Sequence, residues 1–510
     1  MSRMKKIRTR FAPSPTGYMH IGNLRTALFS YLIAKHNNGD FILRIEDTDQ
    51  NREVKGALDF IYSVLKDTHL EYDEGPDKPG KYGPYIQSER LPIYKEYADK
   101  LVDLGGAHYC FCSEEDIQAQ REAAEKEGKG FKFVDPCHHI SVEEARKRIA
   151  AGEKYVVRQT IPAEGITSFD DAVHGHIEVE NSTLDEQILL KSDGFPTYNF
   201  ANVIDDHLME INCVIRGNEY ISSTPKYNLI YKAFNWDIPM YVHCPPVMKS
   251  QTQKLSKRNG DASYNDLIEK GYISDAILNY LALLGWAPED NEEIFTMDEL
   301  IKRFKIERIN ASPAIFDQDK LGWMNGEYLK RMPLEKFHEL AMPWYKKVLT
   351  RDVDLKELSM LLQTRILFFA EITGYDKKVL NEGAEEATVE HVPSIVDFIE
   401  NTLEFNPELY RHKKMKTTPE NSLEALYWVK ERMEAFDNYS DDEALTQMFI
   451  DLAAEKGVKN GRVMWPARVA LSNKASTPGG CAEIAHILGK EESLRRIDQA
   501  IKDLQNALNA

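Results

Sequence analysis

The order of apolar and polar positions predicts an α/β first part followed by a helical remainder. Residues 5–12 read as a strand, with Ile7 and Phe11 set among Lys and Arg, and Pro13-Ser14-Pro15-Thr16-Gly17 ends it. Ile21, Leu24, Leu28, Tyr31 and Leu32 then recur at spacings of three and four, which predicts a helix. Gly39-Asp40 turns the chain into the apolar run Phe41-Ile42-Leu43-Arg44-Ile45, which ends in Glu46-Asp47-Thr48-Asp49. Strand, loop, helix and strand in that order open a doubly wound α/β domain, and such domains gather ligands beyond the C-terminal ends of their strands.

Two charged helical stretches follow, Ser113 to Lys129 and Val142 to Ala151. A strand-rich segment then runs through Tyr155–Arg158, Ile177–Val179 and Ile188–Leu190, and the whole reads as an insertion in the α/β domain. Val203-Ile204 and Asn212–Gly217 read as further buried strands, and Pro225–Phe234 as a helix. From about residue 262 onward the pattern is helical, as at Ile273, Ala276, Ile277, Tyr280, Leu281 and Leu284, with prolines such as Pro333, Pro343, Pro407 and Pro466 dividing it into short bundles. Nothing after residue 330 alternates like a set of strands.

Composition narrows the class. The chain has 510 residues, 42% hydrophobic and 29% charged, enough for several domains that each bury a core. This excludes disorder, a collagen-like repeat and a disulfide-stapled mini-protein. Sixty-four Lys and Arg against 82 Asp and Glu leave a formal charge of -18, which by itself argues against a polyanionic partner such as nucleic acid. Met1 to Phe11 is basic but runs into Ala-Pro-Ser-Pro-Thr-Gly without a secretory apolar core, and no window approaches a membrane span, so a cytoplasmic protein with no membrane partner is expected.

Two constellations carry phosphate chemistry. In Arg10-Phe-Ala-Pro-Ser-Pro-Thr-Gly17-Tyr-Met-His20-Ile-Gly22-Asn23, a strand ends in a Pro/Gly loop that opens into a helix, aiming backbone N–H groups and the positive dipole end at whatever lies above the strand. His20 would donate to a phosphoryl oxygen and Gly22 would let a ligand approach; a helix-capping histidine is the equal alternative. In Lys254-Leu-Ser256-Lys257-Arg258, three cations and a hydroxyl precede the Asn259-Gly260 turn and suit a loop that folds over a polyphosphate. A solvated basic loop is the alternative reading.

Together, His20-Ile-Gly-Asn23 and Lys254-Leu-Ser-Lys-Arg258 resemble the two signatures of class I aminoacyl-tRNA synthetases. The flanking strings Arg44-Ile-Glu-Asp-Thr-Asp49, Gly83-Pro-Tyr-Ile-Gln-Ser-Glu-Arg90, Leu190-Lys-Ser-Asp-Gly-Phe-Pro-Thr-Tyr198, Val203-Ile-Asp-Asp-His-Leu-Met209 and Trp323-Met-Asn-Gly326 resemble the bacterial type of glutamyl-tRNA synthetase more narrowly. Asn23 departs from the general class signature, which ends in histidine, so only the role of His20 carries over. The resemblance covers nearly the whole chain. It implies a Rossmann-type α/β catalytic domain with an α+β insertion, followed by all-α anticodon-binding domains. The expected division is 1–91 and 199–252 for the two catalytic halves, 92–198 for the acceptor-binding insertion, 253–333 for a phosphate-loop helical domain, and 334–395 and 396–510 for the two anticodon-binding domains.

The resemblance further implies a monomeric ligase acting on L-glutamate, ATP with Mg²⁺, and tRNA(Glu), with an enzyme that also charges tRNA(Gln) as the alternative. Arg10 and Arg216 are expected at the substrate carboxylates and Glu46 at its ammonium, with Ser14, Tyr198 and Asn202 as polar lining. His20, Gly22, Lys254, Ser256, Lys257 and Arg258 are expected at ATP, of which His20, Lys254 and Lys257 take the catalytic roles. Read singly, each has a structural alternative; Arg10 or Arg44, for instance, could simply pair with Glu46 or Asp47. Arg365 aligns roughly with the arginine that discriminating enzymes place against the last anticodon base, and a helix-surface arginine is the equal alternative.

Cys110-Phe-Cys112, followed after 24 residues by Cys137-His-His139, offers three thiolates and an imidazole for tetrahedral Zn²⁺. It resembles the structural zinc knuckle that some of these synthetases carry in the insertion. Some such sites use a tyrosine, but the comparable position here is Phe133, so His139 is the expected fourth ligand, with His138 as competitor. Free cysteines are the alternative.

Overall fold

The computed structural model describes residues 6–17, 19–49, 54–126, 128, 131–253, 255, 263–379 and 388–509. It divides into two units, one of residues 1–266 and 277–317, the other of residues 267–276 and 318–510. In the first unit β1 (Arg8–Phe11) pairs in parallel with β2 (Asp40–Leu43), Arg8 opposite Asp40 and Phe11 opposite Leu43, and α1 (Ile21–His36) makes the crossover. The predicted apolar stripe is real: Ile21, Leu24, Leu28 and Leu32 are completely buried. After α1 the chain passes so close to the Ile7 carbonyl that a Cβ at Gly39 would collide with it.

The strands that follow are β3 (Ala107–Cys110), β4 (Val156–Gln159), β5 (Ile166–Asp171), β6 (Gly175–Glu180), β7 (Ile188–Leu190), β8 (Cys213–Gly217) and β9 (Met240–Cys244). β3, β4 and β7 form an antiparallel sheet. A second sheet has the order β6-β5-β9-β8, in which β5 and β6 are an antiparallel hairpin while β5, β9 and β8 run parallel. β1 lies against the start of β8, where the Arg8 N–H donates to Asn212 Oδ1 at 2.8 Å and the Asn212 N–H donates to the Arg8 carbonyl at 3.2 Å. The C-terminal ends of β1, β2 and β8 therefore open on the same side. A short parallel pair, β10 (Val247–Met248) with β11 (Ala314–Ile315), completes the strands of this unit among the described residues.

Val203-Ile204, expected as a strand, lies in the helix Tyr198–Leu208. Its apolar residues Phe200, Ala201, Val203 and Ile204 pack against Tyr94, Leu101, Tyr227 and Ile230, and the buried Asp205 and Asp206 sit beside them. Two charges inside the core hide the helical stripe from a hydropathy reading.

The second unit is built from helices such as Leu334–Val348, Leu355–Gln363, Pro419–Ala435, Asp442–Glu455 and Asn460–Ser472, ending in Cys481–Asn509, which kinks at Gly489 with φ 74°. Leu362, Val429, Phe449, Val463, Ile484 and Leu504 are fully buried in its core. Against the all-helical expectation it also contains a hairpin, β12 (Tyr375–Val379) with β13 (Thr388–Val392). Asp376, Lys377 and Thr388 through His391 are exposed, so the hairpin has no buried face to impose alternation.

Candidate active site

A cavity of about 640 Å³ opens at the strand ends of the first unit. Arg10 and Ser14 reach it from β1 and its loop, His20 and Gly22 from the start of α1, Glu46 from the loop after β2, Tyr198 from its helix and Arg216 from β8. Asn202 does not line it: this buried side chain donates through Nδ2 to the Tyr198 carbonyl one turn earlier, at 2.6 Å. Lys254, Ser256, Lys257 and Arg258 lie outside the described residues.

The residues expected at the glutamate substrate form a buried network that sequence reading did not assemble. Arg10 Nε donates to Asp206 Oδ1 at 3.0 Å and its Nη1 to the Ile215 carbonyl at 3.2 Å. Arg44 Nη1 donates to the same Asp206 oxygen at 2.7 Å, while its Nη2 donates to Glu46 Oε1 at 2.9 Å. All four side chains are nearly or wholly shielded from solvent. The pairing of Arg44 with Glu46 is thus realised, and Arg10 is paired with Asp206 instead. Burial is the largest influence on Arg10 and Arg44 and would weaken their charges, but Asp206, joined by Glu46 and Asp205 at Arg44, acts against it and both guanidiniums are held above their ordinary range. Burial would likewise raise Asp206, yet Arg10 and Arg44 hold it below the usual carboxylate range. At Glu46 burial prevails over Arg44 and Arg10, leaving a carboxyl of raised basicity suited to an ammonium partner.

Arg216 is anchored from behind. Its Nε donates to His243 Nε2 at 3.0 Å and its Nη2 to Thr224 Oγ1 at 2.8 Å. The guanidinium carbon lies 5.3, 4.8 and 5.2 Å from the ring centroids of Tyr220, Tyr227 and Tyr241.

At the start of α1 His20 is the N-cap and accepts the Gly22 N–H on Nδ1 at 3.1 Å, so its proton resides on Nε2. A Cβ at Gly22 would lie 3.3 Å from that Nδ1, so glycine here protects the cap as well as the approach. The capping alternative and the phosphate reading are therefore compatible: the cap fixes which nitrogen donates.

The sulfur cluster differs from expectation in its fourth member. Cys110, Cys112 and Cys137 lie with Asp135, each ligand atom within 4.8 Å of the others, whereas His139 is exposed and outside the group. The reason is local: Asp135 caps the short helix Pro136–His139, its Oδ1 accepting the Cys137 N–H at 2.8 Å, which swings the carboxylate toward the thiols. Cys112 Sγ is 3.8 Å from both Cys137 Sγ and Asp135 Oδ1. His138 instead meets Glu186 at 2.7 Å in a neighbouring group with His108, whose Nε2 donates to Asp135 Oδ2 at 3.0 Å. Three soft sulfurs and one oxygen fit a tetrahedral Zn²⁺. Burial pushes the Cys110 thiol up to about 11, so a metal rather than solvent would deprotonate it.

In the second unit Arg365 is exposed in the turn after Leu355–Gln363. Within the basic run Arg411–Lys416, His412 packs its ring on Trp465, centroids 4.0 Å apart.

Residues 6–323 match the family described as tRNA synthetases class I (E and Q), catalytic domain, and residues 336–501 match an anticodon binding domain. The chain is 56% identical over 500 residues to the glutamate–tRNA ligase of Clostridium botulinum (strain Loch Maree / Type A3), covering 98% of this chain and 99% of that protein. It is 55% identical over 504 residues to that of Clostridium tetani (strain Massachusetts / E88), covering 99% of each. A solved structure of a glutamate tRNA ligase from Elizabethkingia meningosepticum, in complex with its amino acid, superposes with a TM-score of 0.84 at 33% identity, covering 98% of this chain and 100% of that one. The wider alternative of also charging tRNA(Gln) finds no support among these relatives. The chain belongs to the class I aminoacyl-tRNA synthetases and, within them, to the glutamate–tRNA ligases.

Proposed function

We propose that the cavity at the ends of β1, β2 and β8 is where this ligase activates glutamate with ATP and passes it to the terminal adenosine of tRNA(Glu). The observation that carries the reading is convergence: Arg10, His20, Glu46 and Arg216, from four separate segments, line one cavity. Glutamate presents two carboxylates and an ammonium, and the cavity offers two guanidiniums and a buried carboxylate of raised basicity.

In the first step an oxygen of the glutamate α-carboxylate bonds to the α-phosphorus of ATP as the bond to the bridging oxygen breaks, and diphosphate leaves with the electron pair. In the second a ribose hydroxyl attacks the acyl carbon, AMP leaves with the electron pair of the anhydride bond, and the hydroxyl proton passes to phosphate. No protein nucleophile is needed; the enzyme supplies position and charge. Arg10 and Arg216 hold the carboxylates, Glu46 the ammonium, and Ser14 and Tyr198 add polar lining. His20 Nε2–H and the start of α1 receive phosphoryl oxygens, Gly22 keeps that approach open, Lys254, Lys257 and Arg258 neutralise the charge that develops on the leaving group, and Ser256 offers it a hydroxyl donor. Mg²⁺ enters on the ATP phosphates as part of the substrate.

Zn²⁺ held by Cys110, Cys112, Cys137 and Asp135 would staple the insertion, a structural role with no part in the chemistry. Arg365 is proposed as an anticodon contact, and the six-part division of the chain remains the proposed domain plan, supported for the C-terminal part by the anticodon-domain match. A cytoplasmic monomer belongs to the same proposal and rests on the family resemblance. No helix among the described residues is long and apolar enough to cross a membrane.

Charging of tRNA(Glu) with ATP and glutamate tests the reading. Arg10→Ala, Glu46→Gln and Lys257→Ala should each lose about tenfold or more in kcat/KM; wild-type charging by all three would overturn it.

A further inference from the structure

Arg216 reaches the cavity, but His243 and Thr224, the side chains that hydrogen-bond it, do not line it. His243 comes from the sheet. In the parallel register of β8 and β9, Arg216 stands opposite His243, and Asp171 at the end of β5 stands opposite Tyr241 on the same β9. Three adjacent strands thus set Arg216, His243 and Asp171 in a row, all at most 5% exposed.

The direction of each hydrogen bond in this row is forced. The Nε of arginine only donates, so His243 Nε2, 3.0 Å away, must present a lone pair. The ring proton is then on Nδ1, which donates to Asp171 Oδ2 at 2.6 Å. Asp171 is itself fixed as an acceptor: Oδ2 also takes the His243 N–H at 3.2 Å, and Oδ1 takes the Val173 and His174 N–H groups at 3.0 and 2.9 Å. Burial, and after it the charge of Arg216, hold His243 below the ordinary imidazole range despite the Asp171 hydrogen bond, so the ring stays neutral. Thr224 completes the anchor, accepting Arg216 Nη2 and donating its own proton to the Tyr220 carbonyl at 2.8 Å. The Nε–Nη2 edge of the guanidinium is spent on the protein, and the Nη1 end is left to a substrate carboxylate.

We propose that His243 is a positioning residue for glutamate, acting through Arg216, and that Asp171 sets the tautomer it needs. This deepens the assignment of Arg216 as a carboxylate ligand and rests on it. An asparagine at 171 must turn its amide nitrogen toward donors whichever way it is placed. It either loses the 171–174 turn or drives the proton to Nε2, against Arg216.

The test is steady-state charging by the full-length enzyme, with KM for glutamate and for ATP measured separately for Arg216→Ala, His243→Leu, His243→Gln and Asp171→Asn. Glutamine keeps an acceptor oxygen for Arg216 Nε. The expected result is a rise of about tenfold or more in the glutamate KM for the alanine, leucine and asparagine variants, ATP KM within about twofold of wild type, and substantial recovery in His243→Gln. If Arg216→Ala leaves the glutamate KM unchanged, the ligand assignment itself is wrong. If Arg216→Ala raises it but His243→Leu and Asp171→Asn do not, positioning by His243 is refuted while the assignment stands. Nitrogen-15 NMR of histidine-labelled wild-type enzyme, with His243→Gln locating the resonance, decides the tautomer independently of any folding defect. A neutral Nδ1–H ring supports the proposal and an Nε2–H ring overturns it.

Discussion

Removing the Asp206 charge should expose how the site is held together. Asp206→Asn leaves Arg10 and Arg44, whose nitrogens now lie 3.0 and 2.7 Å from one carboxylate oxygen, with Glu46 at 2.9 Å and the more distant Asp205, 3.8 Å from Arg44 Nε, as negative members of a dry network. Breaking a buried pair in this way costs about 3–5 kcal/mol, because the abandoned charge cannot reach water. With a urea slope of about 2–3 kcal/mol per M, the unfolding midpoint should fall by about 1–2.5 M. The pH dependence has a definite sign. The carboxyl is held below its ordinary value of 3.8 in the fold, so its contribution is fully present above that pH and is lost as pH falls through the lower folded value. The gap between wild type and variant should therefore be flat from pH 8 to about 4.5 and narrow only in stronger acid. Urea titrations at several pH values measure it. A cost below about 1 kcal/mol at pH 7, or a gap that closes already between pH 8 and 6, would refute the network as the element that positions Arg10 and Glu46.

Three other outcomes are expected. Gly22→Ala should crowd His20 Nδ1 and weaken the cap by about 1 kcal/mol, raising the ATP KM more than the glutamate KM, as initial-rate kinetics would show. Metal analysis of protein prepared without chelator should find one zinc per chain. Cys112→Ser and Asp135→Ala should lower that content and His139→Ala should not; full zinc in Asp135→Ala would return the fourth position to a histidine. Raising salt should weaken tRNA binding steeply while leaving glutamate binding nearly unchanged, because a chain of net charge -18 must confine its RNA contacts to local basic surfaces. Equal salt sensitivity of the two would contradict that.

The legible parts of the sequence were those with local causes. The stripe from Ile21 to Leu32 is a helix because its period is local, and the Pro13–Gly17 break ends β1 for the same reason. Val203-Ile204 was ambiguous in principle, since a two-residue apolar run fits a strand or a helix, and the buried Asp205 and Asp206 erased the wider pattern. The ion pairs that organise the site were out of reach: Arg44 meets Asp206 across 162 positions, and Arg10 meets it across 196. Asp135 had a signal that went unread, an Asp-Pro before Cys137 that marks a capped turn and brings a carboxylate alongside the thiols. His243 gave none, because a histidine between Val242 and Cys244 on a buried strand looks like core until its neighbours on the sheet are known.

Under the proposed function, glutamate and the adenylate phosphate meet in the cavity between Arg216 and the start of α1. The most direct measurement is a crystal structure of the full-length enzyme with a non-hydrolysable glutamyl-adenylate analogue. One substrate carboxylate is expected within hydrogen-bonding distance of Arg216 Nη1, with the ammonium at Glu46 and the phosphate mimic beside His20 Nε2. An analogue bound with its glutamyl end away from Arg10 and Arg216, or with its phosphate mimic away from α1, would contradict it.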